Sequence, residues 1–322
     1  MEFAAGPARG YTKATMPRTS EPTRDAATGR CPAPKLRMPE RGTFLGVAWS
    51  AAQGAGSQIV AARLHCDPER VRLAELWHPF QETPTRRNVI DRMPAWLEEE
   101  TRLADGRLTV GVDFPLSLAE THLRQLGVLR QAISGPAALG KALSERYLPA
   151  GADVGAAAEA VRAELGRDQP RSTDCYRAVV PIPGRAATLR RALFGIVALS
   201  RAAAAFLPWD EPEAGVPSVV EVYPPHLPRA LAGICGYRDG DGKGRPALRA
   251  AILRTVRSAA RLRFEMEEAA EIVGDGSGAF LDAVLAAVAA AAAAQGNFHQ
   301  VPHDVPRSEG WIYSIPDEPW RR

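Results

Sequence analysis

The ten residues Arg107–Leu116, RLTVGVDFPL, constrain the fold more than any other stretch of the chain. Leu108, Thr109, Val110, Gly111 and Val112 form a short apolar, β-branched run, which is the pattern of a strand covered on both faces of a sheet. Asp113 ends the run, and Pro115 blocks further ladder hydrogen bonding. A carboxylate at the end of a central strand is costly to bury without a charged partner, and open α/β sheets bind ligands at that edge. Two readings of Asp113 follow: a site residue, or a cap for a helix starting near Leu116.

The chain before this strand reads as three strands joined by short turns, an antiparallel meander. They are TFLGVAWS (Thr43–Ser50), SQIVAARLHC (Ser57–Cys66) and VRLAELWHPF (Val71–Phe80). A helix over Arg87–Ala104 follows, in which Pro94 marks a kink or the first turn of a shorter helix. Strand, helix and strand at this spacing imply a parallel crossover, so the first half reads βββαβ. From Phe114 to Gly215 the pattern is helical and broken by prolines, far longer than one crossover needs.

PSVVEVYP (Pro217–Pro224) returns to a strand, and a short helix fits Leu227–Leu231. Tyr237–Arg245 is an open charged loop, Ala247–Arg263 an arginine-studded amphipathic helix and Glu265–Val273 an acidic one. Ala279–Ala294 is a strong helix, and Glu309–Pro316 packs a last apolar segment. The expected organisation is a disordered leader (1–40), a core (41–113 and 216–316), a helical insertion or cap (114–215) and a tail (317–322).

Composition narrows the function classes. A net charge of +3 implies no global attraction to nucleic acid. The basic residues are nearly all arginine, as GC-biased coding would give. Four scattered cysteines argue against a zinc site or disulfide framework and fit a reducing cytosol. His299 and His303 are separated by Pro302 and read as loop histidines. Ala283–Ala294 is too short to span a bilayer, and no secretory signal is visible. A cytoplasmic protein without membrane attachment is expected.

Three carboxylates occupy positions that normally bury apolar side chains: Asp113, Glu221 within a valine-rich strand, and Asp282 one turn into the alanine-rich helix. Each alone could be a core acid paired with an arginine. Converged, they would repel unless a divalent cation neutralised them, and hard oxygen ligands select Mg²⁺ or Mn²⁺. Two-metal phosphodiester hydrolysis uses such a set. Arg185, Arg190 and Arg191 in the insertion, with Lys243 and Arg245 on the glycine-rich loop, would contact substrate phosphates, or form a solvated face and an ordinary loop. GDGKGR is not a Walker A loop, since Gly244 stands where Ser or Thr should hold the metal.

The strand order and the acids on strands and last helix resemble the ribonuclease-H-like fold of retroviral integrases and Holliday-junction resolvases. More narrowly, the chain resembles domain of unknown function 429, predicted ribonuclease-H-like nucleases. The stretches that carry the resemblance are FLGVAWSAA, TVGVDFPLSL, VVPIPGRAATLRRALFGI, SVVEVYPPHLPRAL, GKGRPALRAAIL with its preceding loop, LDAVLAAVAAA and EGWIY. It implies an α/β mixed sheet flanked by helices and assigns metal-ligand and catalytic roles to Asp113, Glu221 and Asp282.

Two positions depart from the pattern. The first-strand aspartate is replaced by Ala48, and the first of two acids on the last helix by Ala279. Asp275 is a partial substitute for the latter. The expected function is a metal-dependent nuclease with an incomplete, degraded or one-metal site. The alternative is an inactive ribonuclease-H-like module binding nucleic acid or protein, and an actin/sugar-kinase-like phosphotransferase ranks below both.

Overall fold

The computed structural model describes residues 35–50, 52, 54–149, 152–166, 169–176, 186–240, 243–299 and 301–313. The leader up to residue 34 and the tail lie outside these, as does Arg185.

The meander forms as its alternation predicts. β1 (Gly42–Ala48) pairs antiparallel with β2 (Val60–Cys66), and β2 with β3 (Val71–Trp77). The helix α1 (Arg86–Leu103) crosses over to β4 (Leu108–Val112), which lies parallel to β1. Thr85 caps α1 by accepting from the Asn88 N–H at 3.2 Å. Pro94 therefore sits inside the helix, not in its first turn. Burial of Val89, Ile90, Met93 and Leu97 along one face holds the helix through the missing hydrogen bond.

Six helices follow: α2 (Glu120–Gln125), α3 (Leu129–Ser134), α4 (Pro136–Tyr147), α5 (Val154–Leu165), α6 (Ser172–Tyr176) and α7 (Ala186–Leu199). The helical segment ends earlier than expected, because β5 (Ala205–Leu207) joins the sheet parallel to β6 (Ser218–Val222). Beyond β6 come α8 (His226–Ala232), α9 (Pro246–Ala260), β7 (Leu262–Arg263), α10 (Met266–Gly274), α11 (Ala279–Gln295) and β8 (Ile312–Tyr313). The expected helix over Ala247–Arg263 thus stops at Ala260. Arg261 turns left-handed (φ 55°), and the last two residues form an edge strand.

The strand order is β5-β6-β4-β1-β2-β3-β7, with β8 also on β6. This is the mixed sheet anticipated above: an antiparallel meander extended by parallel strands and flanked by helices. Among the described residues no single helix is long and apolar enough to cross a membrane.

The two faces of the sheet carry different cores. Leu45, Val47, Val110, Val112 and Val219 pack with α1, α4, α5 and α7. Phe44, Ala48, Ala62 and Leu64 face α9 and α11. The alanines of α11 let its backbone lie against the sheet where β1 and β4 carry glycine. A Cβ on Gly46 would stand 2.0 Å from the Ala283 carbonyl oxygen, and one on Gly111 2.6 Å from that of Ala286. Glycine and alanine on facing surfaces thus set the depth at which Asp282 enters the sheet edge.

Candidate functional site

At the carboxyl ends of β1 and β4 a cleft of about 420 Å³ opens, lined by Ala48, Trp49, Asp113, Arg191, Arg238 and Asp282 among others. The backbone N–H of Asp113 still bonds to the Val47 carbonyl at 3.1 Å, which carries its carboxylate onto the α11 side. Asp113 caps no helix, since α2 starts only at Glu120. Its partner is Arg191 on α7, whose Nη2 donates to the Asp113 carboxylate at 2.6 Å and to its backbone carbonyl at 2.7 Å. Phe114, next in the chain, fills the notch left by Gly195 of α7, where a Cβ would stand 2.2 Å from the ring. Trp49 packs on both Phe114 and Phe194, with centroids 4.9 and 4.8 Å apart. Together these aromatic contacts lock strand end to helix.

Asp282 enters from the first turn of α11 and is buried. Its carboxylate accepts from the Tyr237 hydroxyl and from Arg238. Both partners lie on the charged loop before α9, which a buried arginine shapes. Arg249 donates to the carbonyls of Tyr237 (3.0 Å) and Val273 (2.8 Å) and to Asp239 (2.6 Å). Asp239 in turn donates its N–H to the Gly276 carbonyl at 2.9 Å, tying the loop to the turn before α11.

Burial pushes the Asp282 carboxyl up to about 6, with Arg238 opposing this and repulsion from Asp113 adding to it. Two acids and two guanidiniums therefore share one water-accessible edge. Tyr223, in the same field, is raised by burial and by Asp113.

Asp282 destabilises the fold in its ionised form. Its unfolded value is 3.8, so the folded state holds this proton more tightly. The resulting destabilisation is fully present above pH 6 and is relieved as pH falls from about 6 towards 4. The stability of the wild type relative to Asp282→Asn should therefore rise between pH 7 and pH 5. Thermal melts of both proteins across that range test it, and a flat difference would sink the assignment.

Glu221 corrects the expectation that the three acids meet. It pairs in register with Val112, so the alternation of the strand puts it on Val112's face, away from Asp113. There its carboxylate accepts from Arg171 at 2.7 Å through Nη1, again through Nη2, and from the Leu116 N–H at 2.9 Å. Desolvation raises the Glu221 carboxyl, while Arg171 pulls it back.

Asp275 lies on the cleft rim, but its oxygens close the turn before α11. They accept from the Ser277 N–H at 2.9 Å and the Phe280 N–H at 3.0 Å. Ala48 and Ala279 both line the cleft, where the resemblance would place acids.

The donor set accordingly does not fit a two-metal pair. Asp113 and Asp282 reach the cleft, each already matched by an arginine, Asp275 on the rim is spent on its own turn, and Glu221 faces the opposite core. Among the described residues no group of three or more His, Cys, Asp or Glu side chains is placed to hold a metal ion.

Of the basic residues singled out in the sequence, Arg185 lies outside the described residues, and among the others only Arg191 lines the cleft. Arg190 pairs with Glu159 on α5 at 3.5 Å. Arg245 is held by Asp239 and the Gly236 carbonyl, and Lys243 bridges Gly240 within its own loop. Sequence reasoning missed Arg238 and His78. The imidazole of His78 donates from Nδ1 to the Ile59 carbonyl at 3.1 Å and packs on Phe280 at the cleft wall. Its place was hidden because the expected strand ran on to Phe80, whereas β3 ends at Trp77.

The model of a family described as protein of unknown function (DUF429) matches residues 41–307. The chain belongs to this family. No curated protein and no solved structure matches it. In this DUF429 protein the match spans every element from β1 to α11, including Asp113 and Asp282 and their arginine partners.

Proposed function

We propose that this DUF429 protein binds nucleic-acid phosphodiester in the cleft between β1, β4 and α11, through guanidinium and indole donors and without a two-metal catalytic set. One observation carries the reading. Arg191 Nε and Trp49 Nε1 are buried without an acceptor among the described residues, and both belong to residues lining the cleft. Buried donors normally find partners. With Asp113 and Asp282 each matched by its own arginine, these N–H donors beside a half-exposed Arg238 suit the oxygen surface of a phosphate. Ala48, Ala279 and the turned-away Glu221 support a module that keeps the ribonuclease-H-like frame without the full acid set. The scattered cysteines fit a reducing, cytoplasmic place for it.

Labelled single-stranded, duplex and branched oligonucleotides, with and without Mn²⁺, test the reading. Binding without cleavage is expected, and Arg191→Ala should weaken it about tenfold, as loss of a charged donor to phosphate does. Robust Mn²⁺-dependent cleavage abolished by Asp113→Asn would refute it in favour of the second reading, a single-cation phosphodiester hydrolase. What favours that second reading is that Asp113 and Asp282 lie within each other's electrostatic reach.

A further inference from the structure

We propose that Arg254, Arg257, Arg261 and Arg263 form a second nucleic-acid backbone site, at the end of the sheet opposite the cleft. All four are exposed and, with Ser258, line a concavity of about 350 Å³ where α9 meets β7. Most other arginines of the described fold have a carboxylate within 4 Å, among them Arg63, Arg87, Arg124, Arg146 and Arg162. These four have none among the described residues. Arg72, paired in register with Arg263 on the neighbouring strand, adds a fifth positive charge. The adjoining hollow, which shares Arg261, holds Glu40, Asp67 and Glu69 together with Lys35, Arg37 and Arg70, and Asp67 is taken by Arg70 at 3.2 Å.

Arg254 and Arg257 lie one turn apart on α9 and Arg261 follows directly after its end, a row about 10 Å long that suits successive phosphates. Arg261 is a second, independent sign. It holds a left-handed backbone (φ 55°) at the helix end, where glycine would be unstrained. Strain retained in a residue that completes a charged stripe points to use of its side chain.

The register places the patch. Val71 pairs with both Cys66 and Leu262, at the end where β1 begins, whereas the cleft lies where β1 ends. β3 runs from one to the other, about 20 Å in seven residues. A single strand of nucleic acid lying along this edge would touch both sites, which is why a polymer fits better than a free phosphate. The choice of polymer rests on the cleft reading; the anion site rests on the arginines alone.

Fluorescence anisotropy of the full chain with a labelled thirty-nucleotide strand, from 50 to 300 mM salt, tests this. Combining Arg254→Gln, Arg257→Gln and Arg261→Gly should weaken binding at least tenfold and lower the slope of log K against log salt by about 2 to 3. Arg261→Gly alone should weaken binding yet raise the melting temperature, a pairing that a structural role for Arg261 does not produce.

Unchanged affinity and slope in the triple variant, or no binding at 50 mM salt, would overturn the inference. So would polyglutamate or anionic vesicles displacing the strand from the patch as well as an unlabelled oligonucleotide of equal charge. Loss in the triple variant with Arg191→Ala unaffected would remove the cleft reading and leave the patch. Loss in Arg191→Ala alone would do the reverse.

Discussion

Arg171→Met should destabilise the protein by about 3–5 kcal/mol, the cost of leaving one member of a buried ion pair without its partner. Arg171 and Glu221 are both buried, and the guanidinium also reaches Asp174 at 2.8 Å. The neighbouring Glu309 accepts from the backbone N–H of Ser172 and, at 2.8 Å, from that of Glu120. This polar hub joins β6, the helical segment and the chain end before β8. Methionine matches the volume but leaves Glu221 desolvated, so its carboxyl must take up a proton or draw in water. Adding Glu221→Gln should recover part of the loss, because the stranded charge goes. Urea denaturation of the two single variants and the double variant measures the coupling. Simple additivity would show that the pair does not act as one unit.

Gly46→Ala should cost about 3 kcal/mol or more, above the usual range for one added methyl group. The new Cβ would meet both the Ala283 carbonyl oxygen (2.0 Å) and the Ala287 nitrogen (2.3 Å). These are backbone atoms of a buried helix and cannot rotate aside, so α11 must lift off the sheet. Asp282 rides on that helix, and the lift would separate it from Tyr237 and Arg238. Chemical denaturation gives the stability. The pH dependence ascribed to Asp282 should flatten in the same variant, and a loss under 1 kcal/mol would contradict the close approach.

Much of the frame was readable residue by residue. Alternation with turn residues gave β1 to β3, the valine run gave β4, and the alanine run gave α11. These elements carry their own period, and burial on both faces or one leaves a plain mark. Short edge strands left no such mark. Ala205–Leu207 and Leu262–Arg263 are strands only because β6 and β3 offer them free edges. The helical pattern through Arg263 likewise gave no warning that Arg261 turns left-handed.

At the site, the sequence by itself determined which residues are anomalous: an acid ending a strand, an acid inside a valine run, an acid in an alanine helix, and alanine at two positions where acids were expected. Tertiary structure decided which of them meet. A one-residue offset in register moves a side chain to the other face of a sheet. The pairing of Val112 with Glu221, written in neither strand alone, sends Glu221 to Arg171 and leaves Asp113 facing Asp282. The arginines that neutralise that pair come from α7 and from the loop before α9, 78 and 44 residues away along the chain. Local pattern encodes elements because their periods are local. Charge partners are set by how the elements pack, and that information is spread over the whole chain.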